Sequence, residues 1–495
     1  MMEHLVVVDV GTTAVKAAAV GTDLSLLGVA QADLPTMREG VRVEQDPEDW
    51  WAGAVEAVGA LPDLGSASGL ALTGQMQDLI LVEDGRSRGS AILYSDHRAT
   101  AEHESLTERI GHDRWFEITA NVQDPANLAA KILWLRAHEP QRLATMDHLL
   151  FGAHSYLALR ACGAAVCDPT TASTTGLYAS TTGDWAQEIL DAIDLDPAVM
   201  PRLQSPLQPC GYLDVAAAAE LGLPAGIPVV HSAGDAGTTT VGAGVADDGG
   251  RYAYLGTSGW LAATTADTVT PREQLFTLEH PVPGHRIQIG PMLSVGACID
   301  WVRDGLLRLD GHAQVEELVR GTGRPSDVLF LPYLAGERSP MRDPHARGVL
   351  IGLSLETDPA QVATAVMEGV ALSLRTIETL MTPEPVGADP SLVVAGGGSR
   401  SEAWCQILAD VFGRVVRRLD SIENVGVLGT AQLSWPALGH GEVVARGAGD
   451  AVGVEPDGAL IEAYTQRREL QVRAYHDLLP VVHGLTGAPT GVVGS

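Results

Sequence analysis

Two short turns of glycine and hydroxyl residues, and one aspartate set between glycines, are the parts of this sequence best suited to chemistry. Gly11-Thr12-Thr13 follows the run Leu5-Val-Val-Val-Asp-Val10, and Gly256-Thr257-Ser258 follows Arg251-Tyr-Ala-Tyr-Leu255. Such turns present backbone N–H groups and short hydroxyls, which cradle phosphates without a lysine. Asp9, near the end of the first run, offers the carboxylate oxygen that a hard cation such as Mg²⁺ prefers, directly or through water. In the third segment the apolar stretch Val229-Val-His-Ser-Ala breaks at Gly234-Asp235-Ala236-Gly237 into a small-residue helix pattern. Asp235 there sits on bare backbone, placed to accept a proton from a hydroxyl whose oxygen attacks a phosphoryl group. Taken alone, the first turn also reads as a plain hairpin, and Asp235 also reads as the N-cap of the helix opening at Thr238-Thr239-Thr240. Both alternatives stay open on these residues, and the pairing of the two turns favours phosphate.

The elements that must hold these groups follow from periodicity. Leu5 to Val20 reads as a β-hairpin around Gly11 to Thr13, and Arg251 to Ala263 repeats that grammar in the second half of the chain. Leu70-Ala-Leu-Thr-Gly-Gln-Met76 and Leu392-Val-Val-Ala-Gly-Gly-Gly398 form a second matching pair, each a short apolar strand ending in a glycine turn. Helical patterns run from Pro359 to Met381 and from Ser401 to Phe412, the latter with serine as N-cap. Alternating strands and helices predict two α/β lobes from a duplicated unit, one over residues 1–246 and one over 247–480, with an irregular tail over 481–495. The repeat is asymmetric, because Tyr254 stands where the first hairpin has Asp9.

Composition removes several function classes. The 495 residues carry 62 acidic against 32 basic side chains, a net charge of −30 that repels phosphate backbones and anionic lipid headgroups, so no nucleic-acid or membrane role is expected. No uncharged apolar run reaches 18 residues, and a cytoplasmic location is expected. The five scattered cysteines have no metal-ligand spacing and read as reduced thiols. The only lysines, Lys16 and Lys131, do not follow glycine, so there is no P-loop, and the His-Arg-Asp and Asp-Phe-Gly segments of protein kinases are missing.

The ordered set of motifs has a clear likeness. Val7-Val-Asp-Val-Gly-Thr-Thr13, Thr73-Gly-Gln-Met76, Ala91-Ile-Leu-Tyr-Ser-Asp-His-Arg98, Ala233-Gly-Asp-Ala-Gly237, Leu255-Gly-Thr-Ser-Gly259, Leu331-Pro-Tyr-Leu-Ala-Gly-Glu-Arg-Ser-Pro340 and Ala395-Gly-Gly-Gly-Ser399 resemble the FGGY carbohydrate kinases, most closely their xylulokinase members, over roughly residues 4–480. The resemblance implies two ribonuclease-H-like lobes of the actin and hexokinase type around a central cleft, with sugar bound mainly by the first and ATP with Mg²⁺ mainly by the second. It implies Asp235 as general base and Asp9 as the acid near metal and transferring phosphate. It places Gly11, Thr12 and Thr13 at the γ-phosphate, Gly256 and Thr257 at the other phosphates, and Gly396, Gly397, Gly398 and Ser399 beside the adenosine. Gln75, Met76, Gln77 and Asp96 fall at sugar-contacting positions. The expected reaction is phosphorylation of D-xylulose to D-xylulose 5-phosphate, and a homodimer is left open.

Several positions depart from that pattern. Gln77-Asp78 stands where xylulokinases read His-Gly, Ser95-Asp96-His97-Arg98 replaces an Asn-Asp-Gly-Arg segment, Ala236 replaces an asparagine, and Thr171 replaces a carboxylate. Gln77 and an added Asp78 carboxylate are expected to change which sugar hydroxyls are satisfied and to disfavour an anionic substrate. Another ketopentose or a polyol therefore stays open. A non-catalytic actin-like nucleotide or sugar sensor is the rival from another class. It has no need of a proton acceptor, so the joint presence of Asp9 and Asp235 favours the enzyme.

Overall fold

The computed structural model describes residues 3–381, 391–419, 422–443 and 452–487. It comprises two compact α/β units, Met1–Ala246 with Phe276–Ile287 and Asn424–Arg446, and Asp247–Leu275 with Gln288–Glu423 and Gly447–Ser495. The division differs from the continuous second lobe expected over 247–480 at residues 276–287 and 424–443, which belong to the first unit. The helix Val425–Ala437 explains part of this: Val427, Ala431, Leu433 and Trp435 are buried on different sides of it, so it must be enclosed by other elements.

In the first unit the expected hairpin forms between the strands His4–Val10 and Ala14–Gly21, closed by a Gly11 N–H to Ala14 carbonyl bond of 3.0 Å. His4–Val10 also pairs in parallel with Ala67–Gly74, which pairs in parallel with Pro228–His231. The strand order is Gly211–Tyr212, Pro228–His231, Ala67–Gly74, His4–Val10, Ala14–Gly21, Leu26–Asp33. Three parallel strands therefore end along one edge. That edge is where ligands collect in sheets of this kind, because the loops that leave it diverge.

The second unit repeats the arrangement. Arg251–Leu255 pairs antiparallel with Gly259–Ala266 and parallel with Leu392–Ala395, which is followed in parallel by Val416–Arg418. The helix Pro359–Glu378 starts on a capping box between Asp358 and Gln361 and ends three residues before the expected Met381. The helix Glu402–Phe412 is capped by Ser401, whose hydroxyl accepts from the Trp404 N–H at 3.0 Å. The irregular tail is also corrected, since the helix Ile461–Thr486 runs through Pro480 and continues to Thr486. Packing outweighs the proline here: Leu478 and Leu479 rest on a buried cluster with Tyr333 and Tyr475, and His483 reaches the Asp343 carboxylate at 2.8 Å. Residues 488–495 lie outside the described residues. No helix among the described residues is long and apolar enough to cross a membrane.

The helices Asp235–Gly242 and Val425–Ala437 cross in backbone contact. A Cβ added at Gly429 would stand 1.8 Å from the Thr238 carbonyl oxygen, and one at Gly242 would stand 2.0 Å from the Val425 carbonyl oxygen. Neither carbonyl can rotate away, because each belongs to a helix. Gly429→Ala is thus expected to destabilise the protein by about 3 kcal/mol, the upper range for overpacking. Gly484→Ala, in a helix and with nothing within 4 Å of its Cβ, is expected to be neutral or to stabilise by up to about 1 kcal/mol. Denaturant midpoints of the two variants check this contrast.

Candidate active site

Strand register sets the first group of functional side chains. Asp9 lies opposite Lys16 on one side and Thr73 on the other. The Thr73 hydroxyl donates to the Ala233 carbonyl at 2.8 Å and meets the Thr238 hydroxyl at 3.1 Å, so it holds both the loop that precedes Asp235 and the helix that follows. The Ser232 N–H to Leu72 carbonyl bond of 2.9 Å fixes the same loop from its other side.

Asp235 opens the helix Asp235–Gly242, but its N-cap is Gly234, in an extended conformation with φ −60° and ψ 165°, and no side chain caps the helix. The capping alternative for Asp235 is therefore displaced by one residue. The residue as a whole remains exposed. Loss of hydration among the surrounding protein atoms, and next the charge of Asp9, push its pKa up to about 7. Water at the exposed face tempers the first effect without reversing it. Asp9, half-buried, is also raised by burial, against the pull of Lys16 and His154.

Beneath these two acids lies a fully buried group that sequence reading missed. Asp168 accepts from His154 Nε2 at 3.0 Å, from the Thr171 N–H at 2.9 Å and from the Gly234 N–H at 3.3 Å. Burial opposes its charge, yet the hydrogen bond and charge of His154 outweigh that and hold it down to about 2. His154 stacks on His231 with ring centroids 4.5 Å apart, and burial keeps His231 neutral by lowering its pKa to about 3. Asp168 thus grips the peptide immediately before the candidate base. The signal for it, Asp168-Pro169 at a helix start, reads locally only as a cap.

The hairpin turn is fixed by amides. Gln45 Nε2 donates to the Thr12 carbonyl at 2.7 Å, Gln75 Nε2 donates to Gln45 Oε1 at 2.9 Å, and the Thr12 hydroxyl donates to Gln75 Oε1 at 3.1 Å. Gln75 is therefore engaged in supporting the turn, and Gln45 is a partner the sequence did not disclose. Gly11 and Thr12 remain half-buried and Thr13 exposed. Met76 packs on the backbone beside Asp235: a Cβ at Gly234 would meet its Sδ at 2.4 Å and Thr171 Oγ1 at 2.6 Å. Gln77 is half-buried with φ +64°, a costly conformation for a residue other than glycine, and it reaches the Ala126 carbonyl at 3.4 Å.

Two acids expected on the sugar side lie inside the first unit. Asp96 is fully buried, and its oxygens accept from the Val43 N–H at 2.6 Å, the Arg98 N–H at 3.0 Å and the Arg98 guanidinium at 2.6 and 2.9 Å. It is a scaffold residue with no face turned to solute. Asp78 is fully buried as well, with Oδ1 accepting from the Tyr94 N–H at 3.1 Å and Oδ2 without a hydrogen-bond partner among the described residues. Burial raises the Asp78 carboxyl and lowers the ammonium of the equally buried Lys131, and each eases the other's charge. Lys131 Nζ donates to the Leu93 carbonyl at 2.7 Å.

In the second unit a cavity of about 720 Å³ is lined by Gly256, Thr257, Gly397, Gly398, Glu316 and Trp404, among others. That volume lies in the range of small-molecule sites. A Cβ at Gly397 would meet no atom within 4 Å, so its backbone is bare towards the cavity. Gly396 and Ser399 are not among the lining residues. Gly396 has φ +87° and a Cβ there would stand 2.7 Å from the Leu255 carbonyl oxygen, while the Ser399 hydroxyl turns back to the Gly396 carbonyl at 2.8 Å. They shape the turn that presents Gly397 and Gly398. Asp300 and His312, paired at 3.0 Å, and Arg320 also line the cavity and were not anticipated.

Comparison with known proteins agrees with this geometry. Residues 4–242 match the N-terminal domain, and residues 252–437 the C-terminal domain, of the FGGY family of carbohydrate kinases. The chain is 31% identical to a xylulose kinase of Klebsiella pneumoniae over 96% of its own length and 99% of the relative's. It is 30% identical to a glycerol kinase of Cereibacter sphaeroides over 88% and 91%. The crystal structure of a xylulose kinase from Brucella ovis superposes with a TM-score of 0.89 at 28% identity, covering 97% of this chain and all of that one. A duplicated α/β hairpin unit, an aspartate freed at a helix start and two family domains spanning most of the sequence together show that this chain belongs to the FGGY family of carbohydrate kinases.

Proposed function

We propose that this carbohydrate kinase phosphorylates D-xylulose to D-xylulose 5-phosphate, with the first unit binding the sugar and the second binding ATP. The observation that carries the catalytic part is Asp235: exposed, uncapped, next to Asp9 in charge and raised towards neutrality. A carboxylate in that state is a stronger proton acceptor than an ordinary aspartate and still ionised in useful amount near pH 7. It takes the proton of the attacking hydroxyl, while Asp168 and Thr73 keep its backbone from drifting.

The residues present fit the phosphate donor and its metal. Gly397 bares its backbone to a cavity of suitable size that Gly398, Gly256 and Thr257 also line, and Asp9 offers a carboxylate oxygen to a hard cation. When bound, ATP supplies the phosphoryl group and Mg²⁺ neutralises charge on its oxygens. Gly11, Thr12 and Thr13 provide N–H groups and hydroxyls for the γ-phosphate.

A second reading, a kinase for another ketopentose or for a polyol, is favoured by Gln77, whose strained backbone and amide replace the histidine of similar xylulokinases. The relative named a glycerol kinase matches nearly as well as the one named a xylulose kinase.

Asp235→Asn is expected to lower kcat by about a hundredfold or more with KM for sugar little changed, as removal of a general base does. Near-normal turnover would overturn the assignment. Because the base acts deprotonated and its pKa is raised to about 7, kcat/KM should fall as pH drops below about 7, whereas an ordinary aspartate would keep the rate flat to about pH 5. A coupled ADP-release assay across ketopentoses, aldopentoses, hexoses, glycerol and gluconate should give D-xylulose the highest kcat/KM. In the same panel Gln77→His is expected to move the ratio towards D-xylulose by roughly tenfold. A panel led by glycerol or gluconate would replace the substrate reading.

A further inference from the structure

Of the five cysteines, Cys167, Cys298 and Cys405 are buried and inert, each with its thiol pKa raised by burial. Cys162 and Cys210 differ from them. Both are half-buried, and their sulfurs lie 3.8 Å apart although 48 residues separate them in sequence. Cys162 is the last residue of the helix Ala153–Cys162, and Cys210 immediately precedes the edge strand Gly211–Tyr212. A Cβ at Gly211 would stand 2.8 Å from Cys162 Sγ, so the thiol rests directly on the strand's backbone. The Cys210 N–H bonds to the Val229 carbonyl at 2.8 Å, which fixes its side of the contact.

We propose that Cys162 and Cys210 form a peroxide-sensitive thiol site that closes reversibly to a disulfide, a modification separate from phosphoryl transfer. A disulfide needs the sulfurs to approach to about 2.05 Å, so the observed contact leaves roughly 1.8 Å to be closed by the two side chains. The pair is chemically unequal. The contact with Cys210 holds the Cys162 thiol below its usual pKa, while that same contact and burial push Cys210 up. Cys162 is thus the nucleophile and Cys210 the resolving thiol. The Cys162 thiolate attacks one oxygen of hydrogen peroxide, the O–O bond breaks, and the sulfenic acid forms as hydroxide leaves and is protonated to water. The Cys210 sulfur then attacks the sulfenic sulfur, the S–O bond breaks, and the leaving hydroxide takes the Cys210 thiol proton to form a second water, the Cys162 proton having gone to the first. Two thiols lose two electrons in total and the peroxide gains them. A dithiol reductant reverses the step by thiol exchange.

The bond would staple the far end of the helix that bears His154 to the sheet edge, and a cross-link over a long loop restricts the unfolded chain. The test treats the full-length protein with stoichiometric hydrogen peroxide, followed by denaturing thiol titration, peptide mass spectrometry and thermal melting. The expected result is a loss of two thiols from the five, a mass decrease of about 2 Da, one cross-linked peptide pair joining Cys162 and Cys210, and a raised Tm that returns on treatment with dithiothreitol. Cys210→Ser is expected to stop at the sulfenic acid of Cys162, trapped by dimedone, and Cys162→Ser to retain all its remaining thiols. Full alkylation of Cys162 and Cys210 after peroxide, cross-links among other cysteines, or an unchanged or lowered Tm on bond formation would overturn the proposal.

Discussion

The parallel register of His4–Val10, Ala67–Gly74 and Pro228–His231 is the constraint on which the candidate site depends. With Asp9 opposite Thr73 and Leu72 opposite His231, three chain segments leave the sheet at one edge, and a single hydroxyl, that of Thr73, can tie the first two strands to the loop of the third. A slip of one residue would turn Asp9 to the opposite face of the sheet and remove Thr73 from the Ala233 carbonyl. The bulk of the buried aliphatic side chains in that sheet serves to forbid the slip: Val6, Val8 and Val10 are sealed into the same core as Leu70 and Leu72.

On that frame the protein keeps two aspartates in opposite electrostatic states within one neighbourhood. Asp168 has a histidine and two backbone N–H groups around it, and its carboxyl is held down to about 2. Asp235 opens its helix without acting as its cap and stands near Asp9, so its charge is poorly satisfied. The difference in partners, more than depth, separates a structural acid from a basic one. The Gly242 and Gly429 contact lets the helix that Asp235 opens lie in backbone contact with the helix Val425–Ala437.

The hairpins, the glycine turns and the helix at Ser401 were legible because each rests on local rules of period, turn chemistry and capping. The supporting shell was not. Gln45 reaches Thr12 and Gln75 across distant stretches of chain, and Asp168 reaches Gly234 across 66 residues, so nothing local announces them. Asp78 and Asp96 show the same limit: their motif position suggested contact with sugar, while only the folded chain shows that both are buried. The return of residues 424–443 to the first unit was hidden likewise, since an enveloped helix shows no polar face from which its neighbours could be read.

The central claim, that environment alone makes Asp235 the proton acceptor, is tested most directly by following aspartate carboxyl carbons by ¹³C NMR through a pH titration. The account predicts one resonance with a midpoint near 7 that vanishes in Asp235→Asn, beside an Asp168 resonance that stays ionised down to about pH 2. An Asp235 carboxyl that titrates near 4, like an ordinary aspartate in water, would contradict it.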